Sequence, residues 1–269
     1  MIVIADALAL TLIGTTEADY PVIGWDNLVT SSSIAATAED ADYPARNLAN
    51  PATNQLWKGT GTGTQYLTVT MGAGVPVSFV GIARHNFGTI GATITIQYDP
   101  GTGSWATLAG PQIPGDDRPL LFISDETVAT GVRVKIENAT AIPQAAVLSV
   151  GLALRMQRGV QAGVMPFPHG RSREFVNGAA QNGDYLGDIQ IRERLNGSML
   201  FKALDADWYR QNVQDFVDVA RTPFFVAWMP ASYPTECAYA WCTEDPQPGF
   251  AYGVPAYLDL TLKMEGLAL

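Results

Sequence analysis

Residues 131–137 read GVRVKIE, and the alternation in this short segment is the clearest indication of the fold class. Apolar Val132, Val134 and Ile136 alternate with three charged residues. Successive side chains of a β-strand point to opposite faces, so such a strand has one face packed on a core and one face in water. The stretch therefore predicts a strand in a sheet that is buried on one side.

Similar runs of five to ten residues lie on both sides of it, separated by Gly, Pro, Asn and Asp. They read YLTVTM at 66–71, VSFVGIA at 77–83, ATITIQY at 92–98, PLLFI at 119–123 and AVLSVGLALR at 146–155. Many short strands with turn signals between them are typical of an all-β sandwich. We expect a jelly-roll β-sandwich domain over residues 1–157, including an N-terminal extension.

Residues 156–173, MQRGVQAGVMPFPHGRSR, show no sustained period and are rich in Gly, Pro and Arg. Composition of this kind marks a linker or a crossing segment, which places the boundary of a second domain, 158–269, here. In it, residues 188–195 and 199–202 read as strands around a predicted tight turn at Asn196-Gly197.

A helix is predicted over about residues 205–221 of the second domain. Asp205 is a suitable N-cap, and Tyr209, Val213 and Phe216 recur at helical spacing. Strands return at 224–229, 238–242 and 257–264. The fold class is therefore mainly β, with a second β-sandwich domain that carries one packed helix.

Acidic residues outnumber basic ones by 26 to 16, so the formal charge is -10. A surface of that sign repels a phosphate backbone, and we expect no nucleic-acid partner. No apolar run approaches the roughly 20 residues that span a bilayer, and we expect no membrane insertion. Cys237 and Cys242 lie at an odd offset in a strand and are expected to be buried thiols, with no metal site.

Catalytic motifs are not found. The sequence has no phosphate-binding loop of the Walker type, no HExxH and no GxSxG, and the loop acids Asp116, Asp117, Asp125 and Glu126 form no recognisable pair. We expect a protein that is not an enzyme and that needs no cofactor.

The strand end in GIARHNFG places hydrogen-bonding groups and an aromatic ring at a predicted loop tip, and its candidate ligand residues are Arg84, His85, Asn86 and Phe87. Sugars offer C–H faces to aromatic rings and hydroxyls to Arg or Asn, so the tip is a candidate glycan site. The alternative is that Asn86 only stabilises the turn through the backbone. Trp57 either stacks on the same ligand or fills the sandwich core, where the large area of indole favours burial.

The order of elements in the first domain resembles that of discoidin-like (coagulation factor 5/8 type C) modules, which are galactose-binding-like jelly rolls. YPARNL at 43–48, QLWK at 55–58, the strand YLTVTM and a Trp-bearing hairpin at 92–108 carry the resemblance, which covers about residues 43–155. The disulfide that is frequent in that family is absent.

The whole chain resembles tail-tip or distal-tail structural proteins of long-tailed bacteriophages. IARHN before GATITIQY, PFFVAWMP, and the closing YLDLTLKMEGL carry this resemblance. It implies a homo-oligomeric ring below the tail tube, partners among the tube, hub and neighbouring subunits, and a location in the virion tail after synthesis in the host cytoplasm. It also implies an outward β-sandwich that packs on neighbours or contacts host-surface carbohydrate.

Three functions follow as hypotheses. The first is a structural subunit of a phage tail tip or baseplate. The alternative is a stand-alone carbohydrate-binding module, and the third is a glycan-processing enzyme with an attached binding domain.

Overall fold

The computed structural model describes residues 1–4, 19–161, 163–250 and 255–267. The described chain is mainly β, which confirms the predicted fold class. Most of the N-terminal extension, residues 5–18, lies outside the described residues.

The strands follow the chain as β1 (Ile2–Ile4), β2 (Val22–Gly24), β3 (Ile34–Ala36), β4 (Trp57–Lys58), β5 (Gln65–Ala83), β6 (Thr93–Asp99), β7 (Ala106–Gln112), β8 (Leu120–Glu137), β9 (Gln144–Ala145), β10 (Val147–Gly151), β11 (Ala153–Arg155), β12 (Arg171–Ala179), β13 (Tyr185–Asp205), β14 (Phe224–Ala227), β15 (Cys237–Cys242), β16 (Gly249–Phe250) and β17 (Tyr257–Gly266). Two helices, α1 (Ala206–Asn212) and α2 (Gln214–Val219), lie between β13 and β14. Short 3₁₀ helices span Ala45–Ala49 and Phe167–His169.

The first sheet has the order β10-β5-β8-β6-β7, with β1 beside β8 and β3 beside β5. Val132, Val134 and Ile136 of β8 are buried in the sandwich core, and the charged residues between them are partly exposed, as the alternation predicts. Segments outside the sheet close the other side of this core, with Leu48, Trp57, Phe87, Ile90 and Ala145.

The first half of β8 has a different pattern because both of its faces are covered. Leu120 and Phe122 face the sandwich core, whereas Leu121 and Ile123 belong to a second cluster shared with the other sheet. An uninterrupted apolar run is the sequence pattern of a strand buried on both faces. The run PLLFI therefore lies where the two sheets pack against each other.

The second sheet has the order β11-β2-β14-β15-β17-β13-β12, with β16 beside β17. Strands β2 and β11 come from the part of the chain before residue 157 and pair with each other, and β2 pairs with β14. The predicted division at residue 157 therefore does not separate the two sheets. Their strand pairing joins residues more than 200 positions apart, and the local sequence pattern does not record it.

Residues 156–161 and 163–170 form a packed segment that joins β11 to β12, which are the two edge strands of the second sheet. The Met156 N–H donates to the Pro21 carbonyl, the Gln161 N–H donates to the Leu200 carbonyl, and Met165 forms a bridge with Ser198. Phe167 is only 4 % exposed and belongs to the core of the second sheet.

The predicted turn at Asn196-Gly197 is wrong. Strand β13 runs through both residues, and Gly197 pairs with Met264 of β17. A Cβ atom at Gly197 would lie 2.7 Å from the Phe167 ring, so this glycine leaves space for an aromatic ring against the strand. The glycine is needed here for close packing, and the resulting Asn-Gly dipeptide is the same as the one that is typical of a tight turn.

The predicted helix begins where expected. The Asp205 side chain accepts hydrogen bonds from the N–H groups of Asp207 and Trp208, which confirms it as an N-cap. The helical stretch is interrupted at Val213, where ψ is −27° and φ is −110°, so two short helices replace the single predicted one. Tyr209, Val213 and Phe216 all face the core of the second sheet.

Candidate functional site

The predicted ligand residues lie close to one another but mostly inside the sandwich. Arg84, His85, Asn86 and Phe87 follow the end of β5, and Trp57 lies in β4, which pairs with β9 beside them. Trp57 and Phe87 are 0 % exposed and belong to the sandwich core. Neither ring has a face to offer a sugar, so the structure contradicts a stacking role for both and supports the core alternative for Trp57.

His85 is a buried structural residue that joins two loops. Its Nε2–H donates to the Arg118 carbonyl at 2.9 Å, and its Nδ1 accepts from the Phe87 N–H at 3.2 Å. The imidazole also stacks on the Phe87 ring, with the ring centres 4.7 Å apart. Burial disfavours the charged form and lowers the pKa of His85 to about 4. Both ring nitrogens are occupied, so the structure also contradicts His85 as a ligand residue.

Asn86 is held by the backbone of a neighbouring segment. Its Nδ2 donates to the Ile142 carbonyl and its Oδ1 accepts from the Gln144 N–H, each at 3.0 Å. Each polar atom of the side-chain amide thus makes one hydrogen bond to backbone, which agrees with the alternative that Asn86 stabilises the turn. Among the five predicted ligand residues only Arg84 is exposed, at a backbone φ of 52°.

A protruding ribbon is the most exposed apolar feature of the described residues. Strand β12 pairs with β13 from Arg171↔Leu195 to Ala179↔Tyr185, whereas β17 pairs with β13 only from Leu195 onward. At about 3.3 Å per residue, the β12–β13 ribbon extends roughly 30 Å beyond the sheet, with no third strand from the described residues beside it. We call residues 171–195 the hairpin arm.

Large apolar side chains are exposed on both faces of the hairpin arm. Val176 and Ile189 are cross-strand partners on one face, 55 % and 72 % exposed, and Phe175 lies on the other face opposite Gln190. Tyr185 and Leu186 near the tip are both 68 % exposed. An isolated two-stranded ribbon is marginally stable in water, and an exposed apolar edge of this kind favours contact with another chain.

The charges of the hairpin arm cancel within the arm. It contains four arginines and four carboxylates, so it is neutral, whereas the whole chain carries -10. Glu193 contacts both Arg171 and Arg173 at 2.8 Å, and Glu174 contacts Arg192 at 2.7 Å. The arm is therefore neutral in net charge and exposes apolar side chains, whereas the chain as a whole is acidic.

The turn of the hairpin arm carries a local sequence signal, although the predicted strands of the second domain do not include this turn. The Asn182-Gly183 pair forms its turn, where Gly183 has a φ of 91° and its N–H donates to the Ala180 carbonyl. Asn-Gly between two alternating runs is a strong local hairpin signal. The exposure of Ile189 and Ile191 has no such signal, because apolar residues alternating along a strand normally face a core.

A second exposed surface lies on the outer side of the first sheet. The Arg133 guanidinium carbon is 4.4 Å from the centre of the Tyr66 ring and 4.3 Å from that of Trp105, and its Nε donates to Gln97 Oε1 at 2.8 Å. All four side chains are partly exposed. We call this surface, formed by Tyr66, Gln97, Trp105 and Arg133, the aromatic–arginine face.

The remaining chemistry of the described residues is limited. Cys237 and Cys242 are both buried and face different cores, as their odd offset predicts. Within the parts of the chain that the structure describes, no group of three or more His, Cys, Asp and Glu residues has metal-site geometry. Neither helix there has the length and apolar character needed to cross a bilayer.

Comparisons with known proteins give structural likeness only. No protein-family model and no characterised protein match the sequence. Among solved structures, chitosan-binding module 1 of a chitosanase/glucanase from Paenibacillus sp. IK-5 is 16% identical with a TM-score of 0.42, covering 46% of this chain and 98% of the module. The family 32 carbohydrate-binding module of Clostridium perfringens NanJ, solved with galactose, is 17% identical with a TM-score of 0.40, covering 48% of this chain and 98% of the module.

A longer protein is also similar. A putative alpha-L-fucosidase from Bacteroides thetaiotaomicron is 18% identical with a TM-score of 0.41, covering 47% of this chain and 28% of that protein. The likeness thus extends over about half of the present chain and a little over a quarter of the fucosidase.

Proposed function

We propose that this protein is a non-catalytic structural subunit of a bacteriophage tail tip, that it assembles in a ring below the tail tube, and that its sandwich faces outward toward host-surface glycans. The observation that carries the assembly part is the hairpin arm, whose apolar side chains stand in water on both faces of a ribbon about 30 Å long. The sequence resemblance to tail-tip proteins is the reason for assigning the subunit to a phage tail.

The energetics of the arm favour a second copy as its partner. Burying a Val or Ile side chain contributes about 1.5–3 kcal/mol, so covering Val176 and Ile189 supplies a substantial part of an interface. Two copies of the chain repel each other because each carries a net charge of -10. The hairpin arm is neutral in net charge, so contact through the arm adds no further electrostatic repulsion. An arm that contacts a different surface of the neighbour makes a head-to-tail interface, which generates rings when the rotation closes.

Light scattering over a concentration series, with electron microscopy of the largest species, tests the assembly. We expect the natural chain to form closed rings. The double variant Val176→Thr with Ile189→Thr should need at least a roughly tenfold higher protein concentration to assemble. Threonine is also β-branched, so it keeps the strand propensity of the arm while removing apolar surface from the interface. Assembly should strengthen between about 0.1 M and 1 M salt, since screening weakens repulsion between the bodies and leaves apolar burial intact.

Ile113→Thr with Val128→Thr is the matched control, because both residues are 59% exposed and lie outside the arm. This control should assemble like the natural chain. A natural chain that stays monomeric at every concentration and salt, alone and with other tail proteins, would sink the assembly proposal.

A stand-alone carbohydrate-binding module is the second candidate. The aromatic–arginine face favours it, since it brings partly exposed rings, a guanidinium and an amide together on one face of the first sheet. A module of this kind binds saccharide as a monomer, so the oligomeric state separates the two candidates.

A further inference from the structure

The aromatic–arginine face is built on a row of hydrogen-bonding side chains that runs across four neighbouring strands. Thr68, Arg133, Gln97 and Thr107 are successive cross-strand partners on β5, β8, β6 and β7. Three strand spacings of about 4.8 Å make this row roughly 14 Å long. That span suits a short oligosaccharide better than a single sugar ring.

The indole of Trp105 lies over this row in a fixed position. A Cβ atom at Gly131 would be 3.2 Å from the Trp105 ring, so the glycine leaves space for the indole against the sheet. The turn before Trp105 is held by Asp99, whose Oδ1 accepts the N–H groups of Gly101, Thr102 and Gly103 at 2.9–3.0 Å. A ring positioned in advance loses little freedom on binding.

The charge of Arg133 has no carboxylate partner among the described residues. Its contacts are the two aromatic rings and the neutral amide of Gln97. Lys135 on the same face is already paired with Glu137 at 2.9 Å. The remaining guanidinium N–H groups match the planar geometry of a carboxylate, and a charge-assisted bond of this kind is about twice as strong as a neutral one.

We propose that the aromatic–arginine face binds a saccharide that carries a carboxylate, such as a uronic-acid oligosaccharide. The pyranose C–H face stacks on Trp105, the carboxylate contacts Arg133, and hydroxyls bond Gln97, Thr68 and Thr107. This inference deepens the glycan-contact part of the proposed function and does not depend on ring assembly.

Calorimetric titration with a galacturonate trisaccharide and with its neutral galactose counterpart tests the site. We expect the acidic trisaccharide to bind more tightly, and its binding to weaken at high salt because part of it is electrostatic. Trp105→Ala and Arg133→Gln should each weaken binding by about tenfold or more, and Trp105→Tyr should retain part of it. Thermal unfolding of every variant verifies that the sandwich is intact.

Tyr43→Ala is the control, since Tyr43 is 41% exposed and lies under Lys58 as another aromatic–cation pair of the same domain. It should bind like the natural chain. Equal binding of the neutral trisaccharide, unchanged binding in Arg133→Gln, or no saturable binding by the natural chain would overturn the inference. Ring formation measured in the same samples reports on the assembly proposal separately.

Discussion

His85 holds two loops of the sandwich together as a neutral imidazole. Because Nδ1 accepts the Phe87 N–H, the ring proton lies on Nε2, where it donates to Arg118. Protonation would place a second proton on Nδ1 and break the bond to Phe87 inside a buried site. The residue thus fixes the end of β5 at neutral pH and penalises folding at acidic pH.

The pKa of His85 predicts an acid-sensitive stability. Its folded pKa of about 4 lies below the ordinary value of 6.5, so the unfolded chain binds the proton first as the pH falls. The stability that this pKa difference contributes is fully present above pH 6.5 and is lost progressively as the pH falls to 4. At pH 5 the loss amounts to about 2 kcal/mol. Urea unfolding at pH 7 and pH 5 should show that the free energy of unfolding falls by about 2 kcal/mol more in the natural chain than in His85→Gln. An equal loss in both chains would contradict the burial penalty.

Two of the three Asn-Gly pairs of the chain show what an element contributes beyond its residues. Asn182-Gly183 is a hairpin turn, and Asn196-Gly197 lies in the middle of β13. The dipeptides are identical, and the difference comes from Phe167, which occupies the space beside Gly197 from a distant part of the chain. Local turn chemistry correctly predicts a turn at Asn182-Gly183 and wrongly predicts one at Asn196-Gly197. The sequence alone does not distinguish a glycine that is needed for a turn from one that is needed for close packing.

Gly197→Ala should destabilise the fold by about 1–3 kcal/mol, because its Cβ would lie 2.7 Å from the Phe167 ring in a packed core. Urea unfolding monitored by circular dichroism measures the cost. Gly249→Ala, at a position with open space in the same sheet, should be close to neutral. Phe167→Leu in the Gly197→Ala chain should make the cost of the alanine smaller, since the two groups then compete less for one space. Equal stabilities of Gly197→Ala and Gly249→Ala would show that the ring moves aside freely.

Strands with clear alternation could be predicted from the sequence, and the pairing between distant strands could not. The pattern of GVRVKIE fixes which side chains of β8 are buried, and the capping role of Asp205 is equally local. Strands β2 and β11 are only three residues long, and their place beside β14 follows from tertiary packing. The candidate site failed for a related reason. Trp57 and Phe87 follow loops in sequence, yet the sandwich closes over both rings.

At the scale of the whole molecule, the two sheets form one body through a shared core. Phe79 of β5 lies against Gly24 of β2, where a Cβ atom would be 2.6 Å from its ring, and Phe225 of β14 lies against Gly81 of β5 at 2.4 Å. Each sheet thus places a phenylalanine on a glycine of the other. Interdigitation of this kind gives close packing that neither sheet can make alone. It also gives the hairpin arm a rigid base, since the strand that carries the arm belongs to the same body.

This shared core predicts that the chain unfolds in one transition and that neither half folds when cut at residue 157. The fragment 158–269 lacks β2 and β11 and exposes Phe225, while the fragment 1–157 exposes Phe79, Leu121 and Ile123. Phe225→Ala in the full chain should cost about 3–5 kcal/mol, and tryptophan fluorescence and circular dichroism should report the same unfolding midpoint because the two sheets unfold together. Nuclear magnetic resonance of the separate fragments provides the opposing test. A dispersed spectrum from 158–269 alone would mean that the second sheet completes its core without the first, and the arm would then project from an independent unit.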